Sequence, residues 1–559
     1  MKLMDDIKKT AKRLFGIGEE QDFVSKVYGL FNDFYSAYTA EWERLDKCER
    51  YYRGDHWVDV QQTDEKEPRP VTPVMQSTIE NIAADLMDNY PEAIIRPENP
   101  QDERIAKVLD ALIRQNHDAA SYRREYWKLA HDLLTGGYMV QEVGYDPLVN
   151  SGIGGAFIRH VDARNVLFDP QCSDIQDGRG VFKIASKTIK WLEEQYPEHK
   201  GEFKADGYKL QEDSVLNQDQ AKSILLIEYW WRTFDKETNS YRVHMAKVAG
   251  HRLLEDSRGE KPDGYYAHGQ YPFIVTPLFI RKGSALGFGF VDMFGEQQLY
   301  ADKMDQIIMK NALMASRNKL LVDEASGYDA DDLADWSKDV HKGQQKNSVA
   351  WFTTPPLPQY IMQYVQMMRQ GIKEESGSND FSRGSTGGGV TAAAAIASLQ
   401  EMSSKRSRMA AMQMHEAYKE AVRMEIEVER EFNILPRQVL VTVDGEQQVE
   451  TFDSAMLQYQ SETGATVPIE FMISIKVQRE NRWAVMAHNE LMLQALQLGA
   501  LQPDQALELM QFEGQESVIK RSKQPQMNPE QAQAMQQQQL QQEMAAQMSM
   551  VPSPDQAIQ

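Results

Sequence analysis

The sequence predicts a mainly helical α+β protein that packs against its own copies, and three observations predict it. Apolar residues recur at helical spacing over long stretches near both ends of the chain. A block of short β-type runs lies between them. Two helices bracket a small β-containing insert, so their apolar stripes have only each other and further copies to bury against. A length of 559 residues argues for about three or four structural units.

Taking the elements in order, residues 1–21 (MKLMDDIKKTAKRLFGIGEEQ) carry basic residues but lack the apolar run of roughly 7–15 residues that a secretory signal needs. They read as an arm, either a short amphipathic helix or a frayed end. Over 22–54, Phe23, Val27, Leu30, Phe31, Phe34, Tyr38, Trp42 and Leu45 mark one long amphipathic helix, which Gly54 ends. Two more helices follow over Met75–Tyr90 and Arg104–Leu134, with Pro91, Pro97 and Pro100 as breaks between them.

From Tyr138 the texture changes to short β runs over 138–145, 156–161, 166–169, 181–187, 224–234, 241–249 and 273–281, with one helix over Ile189–Tyr196. Trp230 and Trp231 are adjacent in a strand, so one packs the core and the other a neighbouring element. A glycine-punctuated turn over 282–289 leads into a helix over Val291–Arg317 about 40 Å long. An insert follows, with β runs over Lys319–Val322 and Ser348–Phe352 around a short acidic helix near Asp329–Val340. A second helix returns over Gln359–Lys373.

Residues 376–389 (SGSNDFSRGSTGGG) are rich in Gly and Ser, which confer the most backbone freedom. Thr391–Phe432, free of Pro and Gly, reads as a helix of roughly 60 Å with Thr391 as its N-cap. Val439–Val443 and Ile469–Val477 read as paired strands around a polar excursion with an Asp444-Gly445 turn. A helical hairpin over Trp483–Leu498 and Asp504–Phe512 precedes a Gln- and Met-rich tail, disordered alone or a short helix.

The chemistry of the chain is sparse. A net charge of −22 argues against a tight grip on nucleic acid, although it suits a passage along which a polyanion slides. Cys48 and Cys172 support neither a disulfide framework nor a zinc site, and a reducing cytoplasm is expected. No phosphate-cradling loop, nucleophile elbow or paired-histidine zinc helix occurs, and His415-Glu416 lacks the second histidine. Asp329, Asp331 and Asp332 read as a solvated helix start rather than a cation site. His117, His131, His160, His244 and His251 show no spacing to carboxylates that forces a catalytic reading. No cofactor is expected, and no window reaches the length of about 20 apolar residues of a membrane span.

Several segments, in this order, resemble the portal proteins of tailed double-stranded DNA bacteriophages, nearest those of short-tailed enteric phages. They are Tyr51-Tyr52-Arg53-Gly54-Asp55-His56-Trp57, the helix containing Asn81-Ile82-Ala83-Ala84-Asp85, the strand pair Val161–Pro170 ending in Asp-Pro, and Glu228-Tyr229-Trp230-Trp231-Arg232. The resemblance covers roughly residues 25–515. It departs at the short Gln-rich C-terminus and at the strongly Gly-rich loop.

The resemblance implies an arm (1–21), a wing (22–281, helical then β-rich), a turn and first stem helix (282–317), a clip (318–358), and a second stem helix (359–375). A tunnel loop (376–390), the long wing helix (391–432), a wing β segment (433–480), a helical crown (481–522) and the tail (523–559) complete it. It implies a non-enzymatic ring, usually a dodecamer, through which the genome is packaged and ejected. Implied partners are the large terminase subunit, a head-tail adaptor, the major capsid and scaffolding proteins and, transiently, duplex DNA, with no membrane. The implied place is the portal vertex of the virion, after assembly in the host cytoplasm.

Lys303 and Lys310, with Asp302 and Asp305, are then the candidate channel-lining or inter-subunit charges. Phe381, Arg383 and Ser385 are the loop positions expected to touch DNA, and Asp323, Glu324, Lys338, Lys342 and Lys346 the clip positions expected to dock motor and adaptor. The alternative readings are another ring-forming virion or adaptor protein without a DNA tunnel, and an enzyme with an unrecognised site.

Overall fold

The computed structural model describes residues 2–61, 67–205, 223–236, 239–316, 319–323, 349–352, 357–377, 405–433, 435–443, 446–460, 466–479, 482–499 and 501–510, with isolated positions between 325 and 342 and at 512 and 519. The chain divides into two compact units, Met1–Glu480 and Asn481–Gln559.

In the first unit, α1 spans Lys2–Tyr52, so the predicted helix and the arm before it are one continuous element. Val24, Val27, Phe31, Phe34, Tyr38, Glu41, Leu45 and Cys48 are buried at alternating three- and four-residue steps, the spacing that puts them on one face. Gly54, at φ +88°, turns the chain out of the helix, a conformation that costs a residue with a Cβ more. Next come α2 (Val74–Asp88), β1 (Asn89–Pro97), α3 (Glu103–Ala119), α4 (Tyr122–Thr135), β2 (Tyr138–Asp146), α5 (Val149–Gly152), β3 (Gly155–Val161), β4 (Val166–Phe168), β5 (Val181–Thr188) and α6 (Ile189–Gln195). They are followed by β6 (Ser223–Asp235), β7 (Ser240–Ala249), β8 (Arg252–Asp256), α7 (Ser257–Glu260), β9 (Phe273–Pro277), β10 (Phe279–Ile280) and β11 (Gly287–Phe288).

An antiparallel sheet of order β4-β5-β6-β7-β8 packs against α1, with Phe31 and Phe34 set edge-on to Phe182 at 5.6 and 5.4 Å. A second sheet has the order β3-β2-β9. Trp230 is buried and stacks on Tyr266, while Trp231 faces the other way, onto Tyr229 and Phe23 of α1, as strand alternation predicts. The glycine-punctuated turn is explained by Gly137 (φ +88°): a Cβ there would lie 2.1 Å from the Phe288 carbonyl carbon, so two backbones meet where side chains do not fit.

Two helices then leave and return: α8 (Phe290–Ser316) and α9 (Gln359–Ser376), joined through the pair β12 (Lys319–Val322) and β13 (Val349–Phe352). The described part of the long helix is α10 (Lys405–Phe432); Thr391, read as its cap, lies outside the described residues. After it come β14 (Arg437–Val443), β15 (Glu446–Phe452), β16 (Gln458–Gln460), β17 (Thr466–Pro468) and β18 (Phe471–Arg479).

The strand pairing at this end corrects the sequence reading. Val439–Val443 pairs not with Ile469–Val477 but with its neighbour β15, from Val443↔Glu446 to Arg437↔Phe452. β18 instead pairs with β1, which contains Pro91 and Pro97, the supposed helix breaks. A two-stranded sheet leaves each strand an outer edge where a proline's missing N–H is no loss, so those prolines are compatible with a ladder.

His117 finds a carboxylate far away in sequence. His117 Nε2 lies 2.8 Å from Glu425 Oε2, in a buried cluster with Tyr418, Asn116, Glu429 and Arg437 that ties α3, α10 and β14 together. Burial pushes the Glu429 carboxyl above its usual range, against a hydrogen bond from the Ala156 amide.

The second unit is the expected helical hairpin, α11 (Arg482–Gln497) and α12 (Pro503–Leu509), with His488 Nε2 2.9 Å from the Leu509 carbonyl.

Candidate functional site

The site is the limb formed by α8 and α9, together with the buried root that fixes it to the body. At the start of α8, Asp292 accepts a hydrogen bond from the Gly289 amide at 2.8 Å and pairs with Arg44 at 2.5 Å. Arg44 also pairs with Glu41 and donates to the Gly136 carbonyl at 2.8 Å, so one guanidinium joins α1, α8 and the Gly136 turn. Burial, with Asp292 nearby, pushes the adjoining Cys48 thiol up to about 12, so it stays protonated and unreactive.

The next turns of α8 bury Phe294, Gly295, Gln298, Ala301 and Asp302 against the body. Asp302 is wholly shielded: its Oδ2 lies 2.5 Å from His56 Nδ1, and its Oδ1 accepts from the Thr72 amide at 3.1 Å and from Gln298 Nε2 at 3.2 Å. Gln298 also donates to the Thr72 carbonyl at 2.7 Å and accepts from the Met75 amide at 3.3 Å. Asp305 pairs with Arg369 of α9 and accepts from the Thr72 hydroxyl at 3.3 Å; Arg369 donates to the same hydroxyl oxygen at 3.0 Å. One turn further, Gln306 donates to the Pro68 carbonyl at 2.9 Å and Lys310 pairs with Glu67. Residues 67–73 therefore strap α8 to the body.

On the side away from the root, the limb is apolar and open. On α8, Met293, Tyr300, Ile307 and Met314 are exposed at steps of seven and lie in one stripe. On α9, Tyr360, Tyr364 and Met367 are exposed at i, i+4 and i+7, while Val365 and Ile372 face inward. Tyr300 is 54% exposed and Tyr360 68%. Two apolar stripes, one on each helix, are left without cover by the described residues.

Several expected site residues are rearranged by this geometry. Asp302, expected among the channel or inter-subunit charges, is sealed inside the subunit, because its two oxygens serve three partners there. Asp305 is likewise engaged within the chain, with Arg369. Lys310 is half-exposed but pairs with Glu67, and the Lys303 ammonium lies 5.1 Å from the Tyr300 ring centre. Asp323 and Lys342 are exposed, and Asp323 caps the Ala325 amide at 3.1 Å. Glu324, Lys338, Lys346, Phe381, Arg383 and Ser385 lie outside the described residues.

Sequence reasoning missed the root cluster of His56, Thr72, Gln298 and Arg369. A signal was present: Gln298, Asp302 and Asp305 share a helix face with Val291 and Phe294, and a polar residue on an apolar face must find a partner. The root offers hydrogen bonds and no reactive opening. Among the described residues no group of three or more His, Cys, Asp or Glu side chains is arranged to hold a metal ion, and no helix is long and apolar enough to cross a membrane.

Compared with known families, the chain matches the model described as phage P22-like portal protein over residues 28–558. No curated protein matches it.

Proposed function

The chain belongs to the phage P22-like portal protein family, a structural component of the bacteriophage virion at the head-tail connector, and we propose that its limb builds the wall of a ring-shaped DNA channel. The observation that carries this reading is the pair of uncovered apolar stripes on α8 and α9. A helix pair that exposes different stripes on its two members suits head-to-tail contact, in which one face of a subunit meets a different face of the next and rotation closes the ring. Twelve copies are the number the family resemblance implies.

In this reading the duplex passes through the ring during packaging and ejection without being gripped. The net charge of −22 favours weak adhesion, since strong binding of duplex DNA comes from many Lys and Arg contacts to phosphates. Lys303 supplies an isolated positive charge on the limb, while Phe381, Arg383 and Ser385 make passing contacts from the tunnel loop. The β12–β13 insert carries the docking positions, Asp323, Glu324, Lys338, Lys342 and Lys346, for the terminase motor and later the tail adaptor. The second unit is the crown. Sedimentation of the purified full-length chain tests the reading: a discrete species many times the 64.0 kDa subunit supports it, and a monomer under every assembly condition refutes it.

A further inference from the structure

α1 is 51 residues long, about 75 Å, and among the described side chains its packing on the body begins at Phe23, with Glu20, Gln21 and Asp22 exposed. The segment before them has its own pattern. At about 100° per residue, positions 3, 7, 11 and 14 (Leu3, Ile7, Ala11, Leu14) fall on one face of the helix. That face lies roughly 130° around the axis from the one defined by Val24, Val27, Phe31, Phe34 and Tyr38. The apolar pattern of the arm is therefore out of phase with the surface that α1 uses in its own subunit. Lys2, Lys8, Lys9, Lys12 and Arg13 against Asp5 and Asp6 also make it positive within a chain of net −22.

A groove of complementary character lies on the body. It has a volume of about 840 Å³ between α10 and the strands β9 and β18, each of which ends its sheet. Val275, Pro277 and Phe471, each half-buried, give it apolar surface over a floor of Ala417, Met424 and Ile473. Its lining holds five carboxylates, Glu98, Glu416, Glu420, Glu427 and Glu470, against three cations; Arg430 is tied to Glu427 and to the Ile469 carbonyl, which leaves four carboxylates against two cations. The Glu420 carboxyl sits above its usual range, pushed up by desolvation beside the helix and by the negative charge of Asp174.

The geometry points to the basic amphipathic arm, residues 2–18, docking into the acidic α10 groove of the neighbouring copy of this chain. The inference rests on the ring reading, because a ring holds a second copy at high effective concentration. Duplex DNA is the weaker partner: phosphate contact uses the lysines but leaves the apolar face of the arm unused. A second copy offers both acidic charge and apolar surface.

Cross-linking of full-length protein tests it. A Lys12→Cys, Glu420→Cys double variant treated with a short bis-maleimide reagent is expected to give a ladder of covalent multimers that neither single variant gives. A Lys8→Glu, Lys12→Glu variant is expected to form rings that dissociate at lower salt, and adding Glu416→Lys and Glu420→Lys is expected to restore them. Intact rings with no ladder and unchanged salt tolerance would overturn the inference while leaving the ring reading in place. Retention on anionic phosphatidylglycerol vesicles that is lost on deleting residues 2–18, with no ladder, would assign the arm to lipid and overturn it too. Failure of the wild-type chain to form rings removes both.

Discussion

His56 Nδ1 lies 2.5 Å from Asp302 Oδ2, with both side chains sealed from solvent, and this contact fastens the first helix of the limb to the turn that follows α1. The other ring nitrogen of His56 faces the Tyr51 carbonyl at 3.0 Å, so the imidazole bridges two acceptors. Asp302→Ala would leave His56, the Thr72 amide and Gln298 without their acceptor in a dry site. A stability loss of about 3–5 kcal/mol is expected, since each buried donor left without its acceptor costs about 1–3 kcal/mol. Asp302→Asn, which keeps one acceptor and the shape, should lose less. Urea unfolding of both variants measures the difference, and equal losses would contradict the role assigned to the carboxylate.

The exposed stripes should matter for assembly and not for folding. Ile307→Glu and Tyr364→Glu lie on surfaces that the subunit leaves open, so each should keep stability to within about 0.5 kcal/mol while removing the ring species. Thermal melting and sedimentation on the same samples separate the two effects. A fall in melting temperature that tracks the loss of assembly would mean the stripes are internal core.

Gly137 meets backbone and not side chain, at a φ of +88°. Gly137→Ala should therefore destabilise the first unit by at least about 2 kcal/mol, since neither the Phe288–Gly289 backbone nor the left-handed turn can yield cheaply. Ala at Gly201, also at positive φ but with open space around it, should cost much less. Denaturant midpoints of the two variants compare the packing contribution directly.

Much of the fold was legible because helical periodicity is local. The stripe from Phe23 to Leu45, the limb helices with their β-paired tip, and the hairpin after Arg482 follow from spacing alone. Pairing between strands nearly 400 residues apart was not legible. β1 carries two prolines and reads as a helix break, and only the partner strand β18, supplied by the far end of the chain, makes it a strand. The same holds at the site. Asp302 and Asp305 were visible as charges on a limb helix, but their burial depends on residues 56, 72 and 369, which the fold brings in from elsewhere.

The pH dependence of the first unit should bear the mark of Asp132, which lies 2.7 Å from His160 and 3.5 Å from His131. Burial pushes the Asp132 carboxyl up, but hydrogen bonds from His131 and His160 outweigh it and hold the group below the usual carboxylate range. Its contribution is present at neutral pH and is lost as pH falls through that depressed value. Burial pushes His131 down, but Asp132 and Glu49 together raise it, so its contribution is present in acid and is lost as pH rises through the raised value. The pair should support stability most between about pH 4 and pH 6.5. His131→Ala should flatten the alkaline side of the melting profile and Asp132→Asn the acid side. Unchanged profiles in both would rule the cluster out.

In the proposed ring the limb lines an opening bounded by copies of the chain. Negative-stain imaging of the purified full-length protein tests it most directly. Rotationally symmetric rings whose central opening is wide enough for a DNA duplex are expected; compact particles of one subunit, with residues 290–376 folded into their interior, would refute the ring.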